Sequence, residues 1–275
     1  LLLSWILLWS LFYAAAQIAE SIIMSTKAVN ALLVSLVLGC STLAQATVVE
    51  VTTNVGKFEI NLYDESTPVT VQNFLSYVKS GRYDGTVIHR SIPGFVIQGG
   101  GFKFDQQLPL KATATNAQIV NEPKWSNVRA TIAMAKQPNN PNSATNQWFV
   151  NLANNAANLD QQNSGFTVFG QISSTDMAVV DAIAALPRYN FSGIIDLPLR
   201  NYTNSDRDDN KPLVADNLVT IETMVVVDER VNTVAGLTLV PNTAPPPTNP
   251  DDSSGGSFGW WLFPLSMLLF KRRMR

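Results

Sequence analysis

Apolar and polar residues alternate strictly near the start of the presumed folded part. Phe58, Ile60 and Leu62 are interleaved with Lys57, Glu59 and Asn61, the period of a half-buried strand. Asn54 and Gly56 supply turn chemistry, so residues 48–62 predict a β-hairpin. The period then lengthens to that of a helix. Val71, Phe74, Leu75 and Val78 recur at helical spacing, and Gly81 ends the run. Thr67 is a candidate cap, and Pro68 suits the first helical position, where its missing N–H costs nothing. Residues 175–186 predict a second helix, with Met177, Val180, Ile183 and Ala184 on its apolar face and Pro187 as its stop. Short apolar runs fill the interval at 86–88, 95–98, 130–135, 148–151 and 166–172, and a final strand is expected at 219–227. Many short strands with two helices predict a mainly β protein, an antiparallel barrel. The polar stretch 188–216 reads as a surface insertion before the last strand.

Composition narrows the classes. The net charge is −2, and no Lys/Arg-rich block lies between residues 47 and 231, which argues against nucleic acid as a partner. Cys40 and His89 are each single in the chain. Neither a disulfide framework nor a Cys/His metal site can be built from them within one chain. His89 has no G-x-S-x-G elbow to serve as a base for a nucleophile.

The ends read as targeting segments around a domain expected at 47–231. Residues 1–23 are apolar and precede Met24; they are expected to lie upstream of the true start, the alternative being an N-terminal anchor. Residues 24–46 combine Lys27, an apolar run at 31–38 and Ala44-Gln45-Ala46, the layout of a signal peptide cut by signal peptidase before Thr47. Val37-Leu38-Gly39-Cys40 loosely resembles a lipoprotein box, which leaves open whether Cys40 is lipidated or discarded. Residues 232–254 form a Pro/Asn/Ser-rich linker. Residues 255–275 hold Gly255-Gly256, an apolar run and Lys271-Arg272-Arg273. That run is too short to cross about 30 Å of hydrocarbon as an ordinary helix. The tail resembles the GlyGly C-terminal sorting signals of Gram-negative bacteria, which implies processing by a rhomboid-type protease. A simple tail anchor, with Trp260 and Trp261 at the interface, is the other reading. The expected location is the periplasm or cell surface of a Gram-negative bacterium.

Three segments carry the candidate chemistry. VIHRSIPGFVIQGGGF at 87–102 sets Arg90 before Phe95, Gln98 and three glycines; NQWFVNL at 146–152 adds Gln147 and Phe149; FTVFG at 166–170 adds Phe166. Gly99-Gly100-Gly101 is no phosphate loop, because no helix with a Lys-Ser/Thr pair follows. Together the segments resemble the cyclophilin family of peptidyl-prolyl cis-trans isomerases, from about residue 48 to residue 227. The resemblance implies a closed eight-stranded antiparallel barrel capped by two α-helices. It implies catalytic roles for Arg90 and Gln98, and a proline pocket of Phe95, Val96, Phe149, Leu159 and Phe166. Ala135, Lys136 and Gln147 match positions that contact or flank the peptide backbone. Apolar periodicity alone would put Phe95, Phe149 and Phe166 in the core.

The chemistry implied is non-covalent. An X-Pro bond rotates over a barrier of about 18–20 kcal/mol set by amide resonance. A fixed donor aimed at the prolyl nitrogen favours the twisted form over the planar ones, and a guanidinium stays charged while offering several rigid donors. Gln98 is expected to hold Arg90 without an ion pair that would weaken its field. No proton moves, so His89 is read as structural. No cofactor or metal is implied. The partners are proline-containing unfolded proteins, and the chain is expected to be a monomer. The chain departs from the family pattern at Ile88, Val96, Lys136, Asn158 and Phe166; the last two predict weak cyclosporin binding. The alternative function is a binding module or chaperone of the same fold that docks proline-containing partners with incidental catalysis.

Overall fold

The computed structural model describes residues 47–191, 193–228 and 238–243. The upstream segment, the signal peptide, Cys40, most of the linker and the sorting tail therefore lie outside the described residues. In chain order the strands are β1 (Val48–Thr53), β2 (Lys57–Leu62), β3 (Arg90–Ile92), β4 (Val96–Gly99), β5 (Phe102–Lys103), β6 (Lys111–Ala112), β7 (Thr131–Met134), β8 (Trp148–Asn151), β9 (Val168–Ile172), β10 (Arg188–Phe191), β11 (Ile194–Pro198) and β12 (Ile221–Asp228). The helices are α1 (Pro68–Lys79), α2 (Ala156–Leu159), α3 (Met177–Ala184) and α4 (Asn204–Asp208).

Eight strands form one antiparallel sheet in the order β12-β1-β2-β9-β7-β8-β4-β3. The expected closed barrel is a curled sheet whose edges meet over a short seam. Ile88 N donates to Val219 O at 2.9 Å, and Ile221 N donates to Thr86 O at 2.8 Å. The edge strands themselves form no ladder with each other. Instead β11 packs alongside β3.

The period-two pattern of the hairpin is realised. Phe58, Ile60 and Leu62 are buried with Val49 and Val51 in the main apolar core. Val71, Phe74 and Val78 of α1 and Met177, Val180 and Ile183 of α3 enter the same core. Thr67 stands at the N-cap of α1, yet its hydroxyl makes no cap bond and donates instead to Tyr63 O. The cap comes from far along the chain. Glu122 accepts from Thr70 N at 2.9 Å and from the Thr70 hydroxyl at 2.7 Å, setting a carboxylate at the positive end of the helix.

The two expected helices are present as α1 and α3, and α2 and α4 are further single short α-helical turns with no apolar period to reveal them. One expectation is corrected. The insertion at 188–216 is not plain surface but folds onto the domain through a second apolar cluster. Tyr189, Leu197, Leu199, Tyr202 and Leu213 pack there with Val87, Leu110 and Leu218. Its polar surface residues dominate the sequence, while its apolar anchors are spread too widely to form a period. Residues 238–243, assigned from composition to the linker, also lie against the domain, where Trp125 bridges to Pro241.

Candidate active site

Strand register assembles the candidate site. Arg90 on β3 pairs with Gln98 on β4, Gln98 pairs with Phe149 on β8, and Phe149 pairs with Ala133 on β7. Directly paired residues share a face of the sheet, so these four form a row across it. Their neighbours Ile97, Val150 and Ile132 point the other way into the main core. Val96, Ala133, Ala135, Phe149 and Leu159 form a separate apolar cluster on the outer face, with Phe95 and Phe166 packed against it.

That cluster floors a groove of about 810 Å³ counting its open mouth, and Arg90, Gln98 and Lys136 also line it. Of the ten candidate residues, nine line this one groove. Gln147 does not; it sits behind, accepting a hydrogen bond from Gln98 Nε2 at 2.8 Å. Gln98 Oε1 in turn accepts from Arg90 Nη1 at 3.3 Å. The amide chain Gln147–Gln98–Arg90 thus orients the guanidinium from the protein side. Gly101 makes room for it, since a Cβ there would lie 2.7 Å from the Gln147 side chain. Phe149 and Phe166 meet edge to face, with centroids 5.6 Å apart.

Electrostatics separates the two basic candidates from each other and from His89. Burial lowers the pKa of Arg90, and the charge of Asp196 opposes that shift. Asp196 comes from β11 of the insertion and has a left-handed backbone, φ 59°. Sequence reasoning missed it, because nothing in the spacing of the insertion points to Arg90. Gln98 holds the guanidinium by a hydrogen bond, and the charge of Asp196 is an added influence on it. Lys136 was expected to contact or flank the peptide backbone. It lines the groove, but its ammonium is turned to the wall, donating to Asn163 O at 2.8 Å and Gly165 O at 2.6 Å. It also lies 4.8 Å from the Phe166 ring centroid. Burial lowers its pKa to about 7. His89 lies outside the groove, its ring edge-on to Phe102 at 4.8 Å. Burial is the main cause that lowers its pKa to about 4, so the imidazole is neutral near pH 7. Among the described residues no group of three or more His, Cys, Asp or Glu is arranged to hold a metal ion.

The profile of the family described as cyclophilin type peptidyl-prolyl cis-trans isomerase/CLD matches residues 48–201. The chain belongs to the cyclophilin family. This cyclophilin is 46% identical over 144 residues to a peptidyl-prolyl cis-trans isomerase of Acinetobacter baylyi, covering 51% of this chain and 73% of the relative. It is 42% identical over 157 residues to peptidyl-prolyl cis-trans isomerase A of Dickeya dadantii, covering 56% and 79%. A crystal structure of a cyclophilin type isomerase from Cryptosporidium parvum aligns over 67% of this cyclophilin and 99% of that chain, with 19% identity and a TM-score of 0.49.

Proposed function

We propose that this cyclophilin accelerates rotation about X-Pro bonds during the folding of exported proteins, by a non-covalent route. The observation that carries the reading is one guanidinium, oriented by Gln98, at the side of a groove otherwise lined largely by phenyl and aliphatic groups. As the bond twists, the prolyl nitrogen loses conjugation, becomes pyramidal and gains a lone pair. Arg90 donates to that lone pair while Phe95, Val96, Phe149, Leu159 and Phe166 grip the ring. The twisted form is then bound more tightly than either planar form, which is the condition for acceleration. A single preorganised donor in a water-poor site is worth about 3–4 kcal/mol. Gln147 and Gln98 keep the donor aimed. No step moves a proton, in keeping with a buried, neutral His89.

The named isomerases among its relatives support the activity. The sequence patterns at 24–46 and 255–275 support export to a Gram-negative envelope, with signal peptidase and a rhomboid-type protease as processing partners. Clients are unfolded chains with exposed X-Pro bonds, which exchange unaided over tens to hundreds of seconds. A protease-coupled assay on an X-Pro peptide tests the catalytic reading. Acceleration by the wild type and its loss in Arg90→Ala are expected; equal rates from the two would leave a binding module. N-terminal sequencing of the mature protein tests export, with Thr47 expected at the terminus.

A further inference from the structure

Residues 238–243 lie beyond β12 and beyond the family match, which ends at residue 201. They run antiparallel to residues 124–126. Ser126 N donates to Val240 O at 2.8 Å, and Asn242 N donates to Lys124 O at 2.9 Å. Leu239 and Asn242 are half-buried, while the four residues beside them are exposed. Leu239 packs against the apolar cluster that floors the groove. Asn242 Nδ2 donates to Asp160 O at 3.3 Å.

Asp160 opens the loop 160–166, which carries Gln162, Asn163 and Phe166 into the groove. Its carboxylate accepts hydrogen bonds from the Ser126 hydroxyl and from the backbone and side chain of Asn127. The segment and Asp160 therefore grip the same stretch of chain. The loop needs such holding. Asn163, Ser164 and Gly165 are consecutive residues in the left-handed region, with φ of 53°, 63° and 72°. Non-glycine residues persist there only where their surroundings over-determine them. Lys136 ties Asn163 O and Gly165 O from the groove side. Asn121 Nδ2 ties Ser164 O at 2.9 Å and Gly165 O at 2.8 Å. Asn242 supplies a further contact, and little slack remains: a Cβ on Gly165 would lie 2.8 Å from Asp160 O and 3.2 Å from Asn242 Nδ2.

We infer that residues 238–243 form a strap that positions the loop wall of the groove, with Leu239 and Asn242 as positioning residues for peptide binding. The inference rests on the groove being the X-Pro site and extends that site past the region shared with the family. It implies that a chain ending at β12 keeps every candidate residue yet grips peptide poorly.

The test uses full-length Leu239→Ala, Asn242→Ala and the double variant. Isomerase kinetics and amide hydrogen exchange of residues 160–166 are the readouts. In the double variant KM should rise about tenfold while kcat stays within about twofold, the signature of lost binding rather than lost chemistry. Exchange in the loop should quicken while β4 and β8 keep their protection. Asn242→Gln, which retains a donor, should recover part of the KM. Unchanged KM with unchanged loop exchange overturns the strap. So does exchange that quickens equally in β4 and β8, which marks general destabilisation. Arg90→Ala measured alongside keeps the two readings apart. An inactive wild type removes the isomerase reading, while the exchange pattern still decides the strap.

Discussion

One wall of the groove is sheet and the other is loop, and they are specified in different ways. The sheet wall is a row of paired residues, Arg90, Gln98 and Phe149, whose aim follows from strand register. Shifting that register by one residue would send the whole row into the core, so the pattern that buries Ile97 and Val150 also fixes the site. The loop wall has no such device. Its three left-handed residues are held through their carbonyls by Lys136 and Asn121, and Asn242, from far along the chain, holds Asp160 where the loop begins. On the proposed mechanism the donor Arg90 and its orienting amide Gln98 sit on the wall that register makes rigid, with Phe149 gripping the ring beside them, while the other wall must be held by side-chain tethers. Substitutions of Arg90 and Gln98 should therefore act on kcat, and those that loosen the loop wall on KM.

The sharpest test of that division is Arg90→Ala. Removing a preorganised donor from a water-poor site costs about 10²–10³ in kcat, with little change in thermal stability, because Arg90 lies on the groove face rather than in the main core. A residual kcat within threefold of wild type would show that the sheet wall is not the chemical wall. Gln98→Leu comes next. It leaves Arg90 charged but removes the amide that orients it at 3.3 Å and strands the acceptor of Gln147. One hydrogen bond to a charged group is worth about 1.5–3 kcal/mol, so the loss expected is about 10- to 150-fold in kcat. The measurement is the kcat ratio at saturating peptide.

The same contrast explains how much could be read from the sequence. Alternation at Phe58, Ile60 and Leu62 and helical spacing at Val71, Phe74 and Val78 are local signals, and these residues are buried where the periods put them. Nine of the ten candidate residues line one groove, six of them because the three motifs fall on paired strands or beside them. What stayed hidden acts across long sequence separations through single polar atoms. Glu122 caps α1 from 52 residues away, Asn242 reaches Asp160 across 82, and Asp196 acts on Arg90 from an insertion that reads as plain surface. Periodicity carries no information about such ties, and composition gives no sign that the insertion and residues 238–243 pack against the domain.

Lys136 sharpens the comparison by pH. The unfolded side chain holds its proton to about pH 10.4, whereas burial lowers the folded pKa to about 7. Between those values the unfolded state binds more protons, so stability rises with pH across the window. Below pH 7 both states are protonated and the burial penalty is present in full. Lys136→Met carries no such group. Denaturant midpoints measured from pH 6 to pH 10 should therefore climb for the wild type relative to the variant. Parallel curves would mean that the ammonium in the loop wall is not desolvated.

The smallest effect belongs to Asp196, the carboxylate that the insertion brings toward the sheet wall. Its influence on Arg90 is coulombic and raises the guanidinium pKa against burial, while Gln98 supplies the directional hold. Asp196→Asn removes the charge and leaves that hold intact. The field of Arg90 at the prolyl nitrogen is then less opposed, so kcat should rise. Partly exposed ion pairs are worth about 0.2–1 kcal/mol, which limits the gain to about fivefold. The gain should shrink as salt is raised, since screening already weakens the carboxylate in the wild type. A fall in kcat that salt does not alter would mean that Asp196 aims the guanidinium rather than opposing it, and the insertion would then belong to the chemical wall.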